Sequence, residues 1–261
     1  VETVTSPDGT TIAYDKLGEG PALIMVTGAS CFRRFLPVAS DAKALAKRFT
    51  VYSYDRRGRG DSTDAGSWSI DREIDDIEAL VDAAGGEALV YGHSSGAVLA
   101  LEAGRRLPGK VTKVAAYDAS YVHGEEERVE YAGLSEEVDR LLAAGANGKA
   151  MRRFLTGIGM PRAFVALLPA MPGWAAMKRL APTLRYDIAL TRDEPQRERL
   201  QALKVPTLLL VGGKGPATLR GTHTTLSSIL PDARAVVVEG QDHMVSMKVL
   251  LPILTDFFTT D

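Results

Sequence analysis

The sequence predicts an α/β fold: a mostly parallel sheet of about eight strands, opened by an antiparallel hairpin and interrupted by one long helical insertion. Three observations carry this. Short apolar runs alternate with stretches of helical period over most of the 261 residues. Several of those runs are unbroken, as in strands buried on both faces. Between Ser120 and Leu203 the alternation stops, and nothing there reads as a strand.

The elements follow in order. Residues 1–5 and 10–17 flank Pro7, Asp8 and Gly9, whose turn chemistry marks a hairpin. Residues 22–27 are a continuous apolar run suited to a buried strand. Helical spacing over 36–48 leads to a strand over 50–54, then to a helix over 71–84 with Ile74, Ile77, Leu80 and Val81 on one side. A strand over 87–91, a helix over 95–107 and a strand over 111–117 complete the first part. After the insertion come a strand over 205–211, a helical stretch to 230, a strand over 235–239 and a helix from 245. The expected division is a core of residues 1–119 and 204–261 with an insertion over 120–203. An insertion between two sheet strands should cover their carboxyl ends, where open α/β sheets bind ligands.

Composition narrows the class of function. Hydrophobic residues make up 45% and charged residues 25%, the balance of a globular protein with a substantial core. The net charge is −2 with both signs scattered, so there is no basic footprint for nucleic acid and no polybasic segment for an anionic membrane. Arg56, Arg57 and Arg59 form the densest basic spot, but they lie in a Gly-rich turn and read as structural. Cys31 is the sole cysteine, which excludes an internal disulfide and a cysteine-rich zinc site and fits a reducing compartment. Residues 1–20 hold no signal-peptide core, and no apolar run is long enough to span a bilayer, so a soluble cytoplasmic protein is expected. The expected partner is a small-molecule substrate, with no nucleic acid and no membrane.

The sharpest motif is Gly92-His93-Ser94-Ser95-Gly96, a G-x-S-x-G between a strand and a helix. Such a turn presents the Ser94 hydroxyl above the sheet edge and needs small flanking residues for close approach. A serine hydroxyl needs a base. Of the four histidines, His93 adjoins Ser94 but points elsewhere, and His123 and His223 lie in the insertion and a late helix or loop. His243, in Gly240-Gln241-Asp242-His243-Met244-Val245, follows the last strand, where a loop at the carboxyl edge can deliver an imidazole to Ser94. Gly212-Gly213-Lys214-Gly215 lacks the spacing of a phosphate loop, and no His-x-x-x-His pair suggests a metal, so neither cofactor nor metal is expected.

With Tyr54-Asp55-Arg56-Arg57-Gly58-Arg59-Gly60-Asp61-Ser62, similar to a D-x-R-G-x-G-x-S turn, these motifs make the chain resemble the α/β-hydrolase fold family over essentially its whole length. The cofactor-free esterase, perhydrolase and haloperoxidase-like branch is the nearest likeness. The resemblance implies a lid-like cap and the chain order nucleophile, acid, histidine. Two backbone N–H groups should hold an oxyanion: that of Ser95, at a helix N-terminus, and that of Ala29, in the loop Thr27-Gly28-Ala29-Ser30. Thr27 replaces the family's usual histidine, but donation comes from the backbone, so the hole can survive the change.

The acid departs from the pattern. Gly215 stands where an aspartate is usual, and Asp118, at the end of the strand over 111–117, occupies the other edge position from which relatives can supply it. A dyad without an acid, or an acid from the cap such as Asp187 or Asp193, are the competing readings. Apolar cap residues are usually packing, yet the family implies that some face the pocket; Ser30, Phe164, Leu168, Met171 and Trp174 are the candidate substrate contacts. The expected reaction is hydrolysis of an uncharged, partly apolar carboxylic ester, lactone or thioester through an acyl-enzyme on Ser94. The alternatives are non-hydrolytic use of the same site, in acyl transfer, perhydrolysis or cyclisation, and a catalytically silent ligand-binding module.

Overall fold

The computed structural model describes residues 1–66 and 68–260. Its single sheet has eight strands: β1 (Glu2–Thr5), β2 (Thr11–Leu17), β3 (Ala22–Val26), β4 (Thr50–Tyr54), β5 (Ala88–His93), β6 (Val111–Tyr117), β7 (Thr207–Gly212) and β8 (Ala233–Val238). They lie in the order β1-β2-β4-β3-β5-β6-β7-β8. The β1–β2 and β2–β4 pairs are antiparallel and every other pair is parallel. The order reverses at β3, which lies between β4 and β5 although it precedes both. The loops leaving β3 and β5 therefore diverge to opposite sides and open a crevice at the carboxyl edge.

Alternation along the strands divides the core into two layers. On one side Ile24 and Val26 of β3, Val90 of β5, Val114 of β6 and Leu209 of β7 pack with α2 (Ile70–Ala83), α3 (Ser95–Arg106) and α10 (Ala217–Ile229). On the other, Leu23, Met25, Leu89, Ala115, Leu208 and Leu210 pack with α1 (Leu36–Leu45) and α11 (Met247–Thr259). The helix expected over 36–48 stops at Leu45, since the turn after it packs against the β2–β3 connection: a Cβ on Gly18 would sit 2.2 Å from the Ala46 carbonyl oxygen. The strand read as 87–91 runs on to His93, which brings Ser94 to the lip of the sheet.

Between β6 and β7 the chain forms α4 (Glu125–Ala143), α5 (Asn147–Gly157), α6 (Arg162–Leu167), α7 (Trp174–Leu180), α8 (Leu184–Thr191) and α9 (Arg197–Leu200), with short 3-10 turns. This insertion has a core of its own, built from Leu134, Val138, Met151, Phe154, Leu180, Leu184 and Ile188. Ala29 and Phe32, from the loop after β3, pack against it.

Candidate active site

β5 ends at His93 and α3 begins at Ser95, which leaves Ser94 alone on the turn between them, at φ 60° and ψ −126°. A non-glycine residue held at positive φ is strained, and only dense surroundings keep it there. Glycines make the density attainable. A Cβ on Gly92 would lie 2.3 Å from the Gly96 carbonyl oxygen, one on Gly96 2.3 Å from that of Val26, and one on Gly28 2.9 Å from Ser94 Cβ. The Ser94 N–H donates to the Tyr117 carbonyl at 2.9 Å, and its Oγ lies 3.2 Å from Ser120 Oγ.

His243 stands in the loop between β8 and α11, with Nδ1 2.9 Å from Asp118 Oδ2. A carboxylate can only accept, so Nδ1 carries the proton and Nε2 is left as an acceptor. Asp118 immediately follows β6, is buried, and has φ 49°. Its Oδ1 accepts the Gly212 N–H at 3.0 Å, and its own N–H donates to the Leu210 carbonyl at 2.9 Å. Both carboxylate oxygens are therefore engaged, one by the end of β7 and one by the imidazole. Two more side chains hold the histidine loop from below. His93 Nε2 donates to the His243 carbonyl at 2.8 Å with the two rings 4.6 Å apart, and the Tyr117 hydroxyl donates to the Asp242 carbonyl at 2.6 Å. Burial, and then the neighbouring His243, push His93 down to about 4, so it is neutral at neutral pH.

The loop after β3 approaches Ser94 from the other side of the crevice. Ser30 has φ 58° and its hydroxyl donates to Met151 Sδ of α5 at 3.3 Å. Two guanidiniums hold the loop's carbonyls: Arg59 donates to Gly28 at 2.8 Å, and Arg56 reaches Thr27 at 3.4 Å. Among the described residues, neither the Ala29 nor the Ser95 N–H donates to another protein group. The site thus sets a hydroxyl on a helix N-terminus, an imidazole with a buried carboxylate behind it, and two uncommitted backbone donors around one crevice. Together these can perform nucleophilic acyl chemistry.

A family model described as the alpha/beta hydrolase family matches residues 23–248. The chain belongs to the alpha/beta hydrolase family. A solved alpha/beta hydrolase from Sphaerobacter thermophilus is 39% identical, with 99% of this chain and 100% of that one covered and a TM-score of 0.88. RutD of Azorhizobium caulinodans, named as a carbamate hydrolase, is 27% identical over 248 residues, 89% of this chain and 88% of its own. A 2-(acetamidomethylene)succinate hydrolase of Mesorhizobium japonicum is 27% identical over 269 residues, 95% of this chain and 91% of its own.

In this hydrolase Ser94, His243, Asp118, Ala29 and Ser95 all come to the carboxyl edge of the sheet, although they are drawn from four separate stretches of sequence. The competing acids go elsewhere. Asp187 is buried against Arg56, Arg59 and the Ser95 hydroxyl, and Asp193 is exposed beside Arg192. The five proposed substrate contacts scatter. Ser30 donates its hydroxyl to Met151 Sδ, and Leu168 is buried within the insertion's own core. Phe164 and Met171 are 41% and 45% exposed, and Trp174 borders an open cleft with Asn147, Lys149 and Lys178. An apolar residue on a short helix reads alike in sequence whether it packs or binds. Sequence reasoning missed Ser120, which is two residues past Asp118 and touches the Ser94 hydroxyl, and the support from His93, which fills an unspecified position of the G-x-S-x-G turn. Among the described residues no helix is long and apolar enough to cross a membrane, and no cluster of His, Cys, Asp and Glu could hold a metal.

Proposed function

We propose that this hydrolase cleaves an uncharged, partly apolar carboxylic ester, lactone or thioester through an acyl-enzyme on Ser94. The observation that carries the reading is the Asp118 carboxylate on His243 Nδ1 at 2.9 Å, on the same sheet edge as the strained Ser94 turn. His243 Nε2 takes the Ser94 proton as Oγ attacks the carbonyl carbon, and Asp118 stabilises the imidazolium. The N–H groups of Ala29 and Ser95 hold the tetrahedral oxyanion, and the positive end of α3 adds to the stabilisation. The imidazolium then protonates the leaving group, and a water activated by the same imidazole attacks the acyl carbonyl and frees Ser94. No cofactor enters this scheme. An uncharged substrate is supported by the arginines nearest the crevice, Arg56 and Arg59, whose charges are already matched by Glu73 and Asp187. The insertion acts as a cap whose apolar face, with Ala29 and Phe32, forms one wall.

The names of two relatives refer to a carbamate and an acetamido compound, so an acyl–nitrogen bond is the second reading. Hydrolysis of p-nitrophenyl esters of graded chain length, beside matched carbamates and anilides, with Ser94→Ala as control, discriminates the two. Covalent labelling at Ser94 by a fluorophosphonate is expected. Labelling with turnover only on carbamates or anilides would move the assignment to nitrogen leaving groups. Labelling without any hydrolysis would favour acyl transfer, and no labelling at all would overturn the acyl-enzyme.

A further inference from the structure

Asp187 is a deeply buried carboxylate that the mechanism above does not use. It belongs to α8 of the insertion and is 1% exposed, yet it lies against the core beneath the nucleophile turn. Its Oδ2 accepts from Arg59 Nη2 at 2.6 Å, and its Oδ1 accepts from Arg56 Nη1 at 2.7 Å and from Ser95 Oγ at 2.8 Å. Arg56 turns its other two nitrogens to Glu73, at 2.8 and 2.5 Å. Two guanidiniums thus face two carboxylates, all four buried. Burial would raise the Asp187 carboxyl, and the Arg59 and Arg56 charges more than reverse it, holding it below the usual carboxylate range.

The direction of Arg59's second arm gives this cluster a bearing on chemistry. Nη1 donates to the Gly28 carbonyl at 2.8 Å. That carbonyl and the Ala29 N–H are the two ends of one peptide unit, which is planar and trans, so they point in opposite directions. The peptide adjoins the nucleophile, as a Cβ on Gly28 would lie 2.9 Å from Ser94 Cβ and 3.5 Å from its Oγ. Pulling the carbonyl toward Arg59 turns the Ala29 N–H away from the arginine, and a hydrogen bond to the carbonyl also polarises the N–H into a stronger donor. The second proposed donor, the Ser95 N–H, belongs to the residue whose hydroxyl is tied to Asp187 itself.

We infer that Asp187 is a positioning residue for the oxyanion hole: through Arg59 it orients the Gly28–Ala29 peptide, through Ser95 it fixes the start of α3, and it makes the hole's geometry depend on the seating of the insertion. This rests on the acyl-enzyme reading. A carboxylate that only neutralised buried arginines would affect folding and leave the turnover of folded molecules unchanged.

The test compares wild type, Asp187→Asn and Arg59→Lys on the best p-nitrophenyl ester, with kcat expressed per fluorophosphonate-labelled Ser94 and thermal unfolding measured in parallel. Asp187→Asn leaves a buried positive charge and can lower the folded yield. Arg59→Lys keeps the charge balance with Asp187 but lacks the fork needed to hold carboxylate and carbonyl together. Loss of one oxyanion donor lowers kcat by roughly 10² to 10³. A displaced donor should therefore lower kcat by about 10- to 100-fold in both variants, with KM within about threefold, because the interaction strengthens only in the transition state. Unchanged kcat per labelled site in Arg59→Lys, with wild type labelled and active, would overturn the inference and leave the acyl-enzyme standing. A wild type that is never labelled at Ser94 would remove both.

Discussion

Replacing Asp118 by asparagine tests the proposed triad most directly, because the surroundings dictate how the amide must turn. In the wild type Oδ1 accepts the Gly212 N–H at 3.0 Å and Oδ2 accepts His243 Nδ1–H at 2.9 Å. Asparagine offers one acceptor and one donor end. Its oxygen must face Gly212, since an NH2 there would oppose a buried N–H at a cost of about 1–3 kcal/mol. The NH2 then faces Nδ1, which must give up its proton and accept, so the imidazole carries its proton on Nε2. In that tautomer it cannot take the Ser94 proton, and the carboxylate that would stabilise the imidazolium is gone as well. The equivalent change in a Ser-His-Asp protease lowers kcat about 10⁴-fold through the wrong tautomer. We expect about 10³ to 10⁴ here, or roughly 4–5.5 kcal/mol at 1.36 kcal/mol per decade. The assay is steady-state hydrolysis of a p-nitrophenyl ester, with circular dichroism and thermal unfolding to confirm an intact fold. A folded Asp118→Asn protein with kcat within tenfold of wild type would refute the assignment and return the acid to a dyad or another carboxylate.

Three further outcomes follow from the same geometry. Ser94→Ala and His243→Ala should each lower kcat by at least about 10⁴-fold, and the double variant should be little worse than either, because they act as one unit; multiplicative losses would show that they are not partners. Gly96→Ala should lower the melting temperature by at least about 5 °C, since its Cβ would sit 2.3 Å from the Val26 carbonyl oxygen and 2.7 Å from that of Thr27, both backbone atoms that cannot swing away; a melting temperature within 2 °C of wild type would contradict the turn. Burial, and then the neighbouring His243, hold His93 below its ordinary value when folded, so between the folded and unfolded values the unfolded chain binds the extra proton and His93 makes the protein less stable as pH falls through that window. Urea unfolding of wild type and His93→Gln at pH 7 and pH 4.5 should show wild type losing more stability on acidification, and equal losses would remove His93 from the account.

The strand and helix order was legible because each strand of the sheet centre is a short apolar run between glycine-bearing turns, and its neighbours in sequence are amphipathic. Leu23, Ile24, Met25 and Val26 show why: buried on both faces, they leave no room for polar alternation. Ser94 was legible for a different reason, since Gly92 and Gly96 are required by backbone contacts near 2.3 Å that no side chain survives. Element ends were less legible. α1 ends at Leu45 because the next residue, Ala46, packs against Gly18, a contact 28 positions away that no local pattern records. The pocket contacts were least legible. Leu168 and Phe164 sit four positions apart in one helical stretch, yet the first is buried and the second is 41% exposed. Apolar identity and period do not reveal which neighbour a short helix will find.

Asp118 and Asp187 could exchange roles on sequence grounds, since both are aspartates near elements that reach the carboxyl edge. Their partners separate them. Asp118 meets only a backbone N–H and an imidazole, so in the proposed acyl transfer its negative charge is matched when His243 takes a proton. The charge of Asp187 is already matched by two guanidiniums that cannot deprotonate, so it has no charge left for a transient imidazolium and serves geometry instead. The same reasoning accounts for Gly215. Where β7 ends, the chain contributes the Gly212 N–H to the site, and that donor fixes the rotation of a carboxylate arriving from β6. If the acid is the proposed Asp118, the turn after β7 needs no carboxylate, and Gly215 closes it by donating its N–H to the Gly212 carbonyl at 3.0 Å.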